Sequence, residues 1–224
     1  MIRVLNINEN ILELFKDWNF WLSLITGLTA VIALVLTLMQ IRLSNKQSLF
    51  ERRLECYLKI DGLMQLYKEN QKLLEAERKA EPLFAVDLEF LWLTNNTYLE
   101  EASEAVKKPV EKPEHKKFLV KREELKKLSA EAELIFKGRS AKTISCIISD
   151  YEQLLFKMYQ YQILLNNMRN YSEQFKATLE MAQKGVNETA YREKLLHAYA
   201  NIKMAYLQVS KNHVMEKLKK QIKL

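Results

Sequence analysis

The chain has 224 residues, with 35 Lys and Arg against 28 Asp and Glu, but only 4 Gly and 3 Pro. So few turn residues exclude a strand-and-turn architecture and point to long helices, while a net charge of +7 favours anionic partners and says nothing of fold. The two cysteines, Cys56 in LECYL and Cys146 in ISCII, exclude a disulfide framework and read as reduced thiols at buried helix positions.

Residues 7–18, INENILELFKDW, place Ile11, Leu14, Phe15 and Trp18 at helical spacing among acids and amides. They read as a short interfacial helix, or as the first turns of the segment that follows. From Phe20 to Ile41 there is no charged residue. A run of this length spans about 33 Å as a helix, matching a hydrocarbon core of about 30 Å. Trp18, Phe20 and Trp21 form an aromatic border at one end. A cleaved signal is excluded, because Glu9, Glu13 and Asp17 precede the run, the run is too long, and no small-x-small site follows. Arg42, Lys46, Arg52 and Arg53 on one side outnumber Arg3 and Lys16 on the other. The positive-inside rule then predicts a single-pass protein of the inner membrane, N-terminus outside and C-terminus in the cytoplasm.

Within this run the small and polar residues are ordered. Ser23, Thr26, Ala30, Ala33, Thr37, Gln40 and Ser44 recur at alternating spacings of three and four. That is the seam of a left-handed supercoil. Lipid supplies no hydrophobic drive between helices, so small residues and hydrogen-bonding side chains mark an associating face. Three readings stand: hydroxyls tolerated by bonding back to their own helix, a tight homodimer seam, or the lining of a narrow lumen. One span cannot enclose a pore, so the third requires about four or more copies.

The following residues continue the helix into water, with Phe50, Leu54, Tyr57, Ile60, Met64, Tyr67 and Leu74 on one face and Pro82 ending it. Gly62 is a weak point in this helix, not a stop. A second helix is expected over 83–106, then a charged linker, KKPVEKPEHKK, over 107–117. Pro113 opens a third helix running to Phe136. After Gly138 a long helix is expected over 142–183, with a stripe from Ile144, Ile147 and Tyr151 to Phe175 and Leu179. Gly185 fits a C-cap, and Asn187 an N-cap for a last helix over 188–222. The prediction is all-α: a transmembrane helix continuing into a cytoplasmic bundle of about five long helices. The parts are an outer or interfacial segment 1–18, the transmembrane helix 19–42 and the bundle 43–224.

No chemistry-bearing motif is present. His115, His197 and His213 are far apart, the glycines are isolated, and no nucleophile elbow or zincin pattern occurs. Neither a catalytic residue, a cofactor nor a metal is expected. Lysines cluster from Lys107 to Lys127, with Glu111, Glu114, Glu123 and Glu124 interleaved, which reads as a solvated face. The C-terminal group, Lys211, Lys217, Lys219, Lys220 and Lys223, has only Glu216 among it and is the better candidate for binding a polyanion, whether nucleotide, oligonucleotide or anionic lipid.

The layout, FWLSLITGLTAVIALVLTLMQIRLS running directly into SLFERRLECYLKIDGLMQLY and a helical bundle, resembles the small single-span membrane effectors of bacterial antiphage defence. It is closest to the channel effector of the Hailong system. That resemblance implies a homo-oligomeric ion channel gated by its cytoplasmic helices. It also implies a nucleic-acid ligand made by a partner nucleotidyltransferase. The alternative is a membrane-anchored helical interaction module with no pore. On the charge asymmetry, cysteine accessibility or a reporter fusion at residue 224 should report the cytoplasmic side, and an outside signal would overturn the orientation.

Overall fold

The computed structural model describes residues 17–74, 85–109 and 111–222. Those residues are all-α, with no strand among them. The chain divides into two compact units, 1–49 with 224, and 50–223. Helix α1, Trp18–Leu74, supplies the described part of the first unit. It is long and apolar enough to cross a membrane, and none of its most apolar stretch is buried within the chain. Gly27 and Gly62 both lie inside it, so Gly62 is no stop. The expected segment 7–16 and Pro82 lie outside the described residues.

In the second unit, α1 is followed by α2, Val86–Thr94, and α3, Glu100–Ser103, with a 3₁₀ turn at Glu104–Val106. Then come α4, Lys112–Ile135, and α5, Arg139–Phe175. The chain continues with α6, Leu179–Gly185, α7, Glu188–Lys211, and α8, Val214–Ile222. Three expected helices are therefore shorter than the periodicity implied. The helix expected to run to residue 106 breaks at Asn95-Asn96-Thr97, where Asn96 Oδ1 accepts from the Leu99 amide at 2.8 Å. Asparagine offers the backbone a local partner in place of the helical one. The long helix expected to reach residue 183 ends at Phe175, because Lys176 takes a left-handed conformation at φ 48°. Phe175 and Leu179, assigned to its buried stripe, are 60% and 50% exposed. The last helix breaks at Asn212-His213, with His213 also left-handed. Asn187 is left-handed too and makes no side-chain cap. The linker is shorter than expected, since α4 begins at Lys112 with Pro113 in its first turn.

Helix α5 packs against α2, α4, α6, α7 and α8. Its buried face carries Ile144, Ile147, Ile148, Tyr151, Leu154, Leu155, Met158 and Tyr161. The α1 residues that face the core are Cys56, Ile60, Leu63, Leu66, Tyr67 and Leu74, while Leu54, expected on that face, is 37% exposed. Tyr67 meets Tyr206 of α7 with ring centroids 4.7 Å apart. Burial raises the Cys56 thiol to about 12, so it stays protonated at neutral pH. Cys146 is free but exposed, a correction to the expected pair of buried thiols, and its Sγ donates to Asp150 Oδ2 at 3.6 Å.

Polar side chains on α5 fix its neighbours. Tyr151 donates to the Leu93 carbonyl at 2.7 Å and holds α2. Tyr161 donates to the buried Glu188 carboxylate and holds α7. Tyr159 donates to the Pro109 carbonyl, so His115 Nδ1 is the donor in its bond to the same hydroxyl. Glu152, 1% exposed, accepts from Arg122 Nε of α4 at 2.6 Å and from Gln153 Nε2 at 2.9 Å. The Arg122 guanidinium lies 3.3 Å from the Phe156 ring centroid. Removing one partner of a buried pair strands the other charge, at about 3–5 kcal/mol. Arg122→Met should therefore lower the thermal midpoint of the detergent-solubilised protein by roughly 6–20 °C by circular dichroism. Lys127→Gln, which opens an exposed pair with Glu123, should leave it unchanged.

Candidate functional site

Two places on α1 carry the functional candidates. The first is the stripe. Ser23, Thr26, Ala30, Ala33, Thr37, Gln40 and Ser44 are all exposed in the single chain. Thr26 Oγ1 donates to the Leu22 carbonyl at 2.7 Å, and Thr37 Oγ1 to the Ala33 carbonyl at 2.8 Å. Thr29, off the stripe, does the same to Thr26 at 2.9 Å. These threonine protons are thus used inside the helix. What the two positions present outward is a hydroxyl oxygen able to accept, on a face kept narrow by two alanines. Such a face permits close helix approach and offers acceptors to a partner helix or to water.

The second place is the base of the second unit, which sequence reasoning had credited only with charge. Arg53 of α1 donates through Nε to the Ile135 carbonyl at 2.8 Å and through Nη1 to the Gln221 carbonyl at 2.8 Å. Those carbonyls lie in the last turns of α4 and α8, where helices leave acceptors unsatisfied and partial negative charge accumulates. One guanidinium therefore caps two helix C-termini at once. Gln221 adds a two-way bond to the α4–α5 turn. Its Oε1 accepts from the Lys137 amide at 2.7 Å, and its Nε2 donates to the Lys137 carbonyl at 3.2 Å. The only signal available in the sequence was an arginine early in an amphipathic segment, which does not identify its acceptors.

The C-terminal lysines are split by the break at Asn212-His213. Lys211 ends α7 and lines an open groove of about 580 Å³ with Cys146, Asp150 and Met204. Lys217, Lys219 and Lys220 are exposed on α8, whose Val214, Leu218 and Ile222 are buried. Lys223 lies outside the described residues. In the earlier lysine cluster Lys107, Lys108, Lys116, Lys117, Lys126 and Lys127 form a solvated face, whereas Lys121 is buried with its Nζ 4.9 Å from the Tyr98 ring centroid. Lys107 pairs with Glu104 at 2.9 Å, Lys121 with Glu124 at 2.6 Å and Lys127 with Glu123 at 2.8 Å. The histidines do not meet: His115 bonds Tyr159, His197 lies 3.2 Å from Asn201 Nδ2, and His213 lies 3.4 Å from Glu216. Among the described residues no group of acids, histidines and cysteines has the arrangement of a metal site. A second groove, of about 450 Å³, is lined by Asp87, Gln162, Arg169 and Glu173 among others.

No protein-family model, curated protein or solved structure matches the chain.

Arg53 ties the α1 segment of the second unit to both α4 and α8. Arg53→Gln should remove two charge-assisted bonds and lower stability by about 2–4 kcal/mol. Faster hydrogen exchange over 214–222 than in the parent would register the release of α8, and unchanged exchange there would deny Arg53 that role.

Proposed function

We propose that this protein is a homo-oligomeric, single-span membrane effector of the antiphage kind that its layout resembles. It forms a gated ion channel whose cytoplasmic helical bundle senses a ligand, a nucleotide or oligonucleotide made by a partner enzyme. The observation that carries this reading is the stripe on α1. Seven small or polar residues at three-four spacing stand on a face that the chain itself leaves exposed. Gln40 on a lipid-facing surface is costly, whereas on a shared axis its amide meets copies of itself or water. Exposed Lys211 and Lys219, at the end of α7 and on α8, offer the polyanion contact. The orientation, bundle inside, follows from the basic flank.

A second reading, a membrane-anchored helical module with no pore, draws on a specific observation. Thr26 and Thr37 donate to their own helix, which is how a lone span tolerates hydroxyls. Substitution separates the two. In a channel, Thr37→Leu and Gln40→Leu should dry the lumen and abolish dye uptake or depolarisation on expression, with insertion intact. Ala30→Trp should reduce crosslinked oligomer by its bulk at the close-packed seam, while Val35→Ala, off the stripe, should be mild. Permeability and assembly both unchanged by leucines at 37 and 40 would leave the module reading standing.

A further inference from the structure

The Arg53–Gln221–Lys137 bonds gather charge as well as helices. They bring the α4–α5 turn and the end of α8 to one end of the second unit, beside the start of its α1 segment. Arg52 precedes Arg53 there and is exposed. Lys137, Arg139 and Lys142 stand exposed on the turn and the first turn of α5. Lys217 shares the Gln221 face of α8, four residues earlier, and Lys220 adjoins it; both are exposed. The carboxylates nearby in sequence are Glu51, Glu55, Glu133 and Glu216, against six basic side chains, and Glu55 pairs with Lys59 at 2.6 Å. Glu216 faces His213 at 3.4 Å, and Glu133 lies 3.5 Å from Ser145 Oγ.

We propose that this basic end is a collar for the headgroups of anionic lipid. The inference rests on reading Phe20–Ile41 as a membrane span. Arg53 lies only twelve positions beyond Ile41. Even fully extended they reach about 40 Å, so the chain tethers the collar to the bilayer at high effective concentration, whatever angle the bundle takes. The chemistry fits a diffuse anionic surface. The cations are spread over the interior of α1, the α4–α5 turn with the first turn of α5, and α8, and none of these six lines the two grooves described above. The segments that carry them past the α1 end, KGRSAK at 137–142 and VMEKLKKQI at 214–222, contain no aromatic residue on which a nucleobase would stack. Juxtamembrane lysines and arginines act on such a surface through its negative potential, within about a Debye length.

The test uses the full chain in uncharged detergent micelles doped with phosphatidylglycerol or with phosphatidylcholine. A ligand of the folded collar raises the unfolding midpoint by mass action. Phosphatidylglycerol should raise it and phosphatidylcholine should not. About 0.5 M salt should remove the effect, because the Debye length contracts to about 4 Å. Lys137→Gln, Arg139→Gln, Lys142→Gln and Lys220→Gln together should weaken the apparent lipid affinity by about fivefold per side chain. The bonds of Lys137 to Gln221 use backbone atoms and survive its substitution. No shift with phosphatidylglycerol, or an equal shift in the quadruple variant, overturns the collar. A shift given instead by a poly-thymidine strand overturns it in favour of nucleic acid. Carbonate washing of membranes reports separately on the span. A chain that washes out loses the span and the collar together; one that stays bound but ignores the lipid loses the collar alone.

Discussion

The second unit is organised by one constraint: polar groups carried into a buried face must find partners there. Helix α5 is the only helix that packs against α2, α4, α6, α7 and α8, among the described residues. A purely apolar helix in that position would let its neighbours slide. Tyr151, Glu152 and Tyr161 prevent this, because each is buried and each has its partner on a different element. An unmade bond at any of these sites leaves a desolvated donor or acceptor, at about 1–3 kcal/mol. Apolar burial supplies the general attraction between these helices. The tyrosines and the carboxylate select one register from the many that would bury a similar area.

The helical class and the apolar half of α1 were legible in the sequence because both depend on composition over long windows. Scarce Gly and Pro, and the uncharged run from Phe20 to Ile41, needed no tertiary information. The start of α4 was legible from Pro113 for the same reason. The breaks were not. Lys176 and His213 turn left-handed with no glycine to announce it, and neighbouring contacts decide such positions. Leu54 was misassigned because helical periodicity defines a face only to within a residue or so, and the core proper takes Cys56, Ile60 and Leu63. Cys146 looked buried from its apolar flanks, yet it points outward between Ile144 and Ile147, which are themselves buried.

The stripe was the most visible candidate in the sequence, and the structure adds to its chemistry. At Thr26 and Thr37 the threonine proton goes to the preceding turn, so the hydroxyl faces outward as an acceptor. At these two positions the stripe presents acceptors, which suit water protons or the amide of a neighbouring glutamine. The base of the second unit was invisible at the same stage. Helical periodicity describes neighbours three or four positions apart, and the acceptors of Arg53 lie 82 and 168 positions away.

That separation has a consequence for how the protein comes into being. Arg53 leaves the ribosome early, directly behind the apolar half of α1, while the Gln221 carbonyl is made 168 residues later. Within that interval the Ile135 carbonyl is made 82 residues after Arg53, and the Gln221 carbonyl comes last. Any chain stopped before residue 221 keeps the arginine and lacks its second acceptor. The clasp thus works as a mark of completion. It closes only on a chain translated through α8, and an abandoned fragment carries the apolar half of α1 without it.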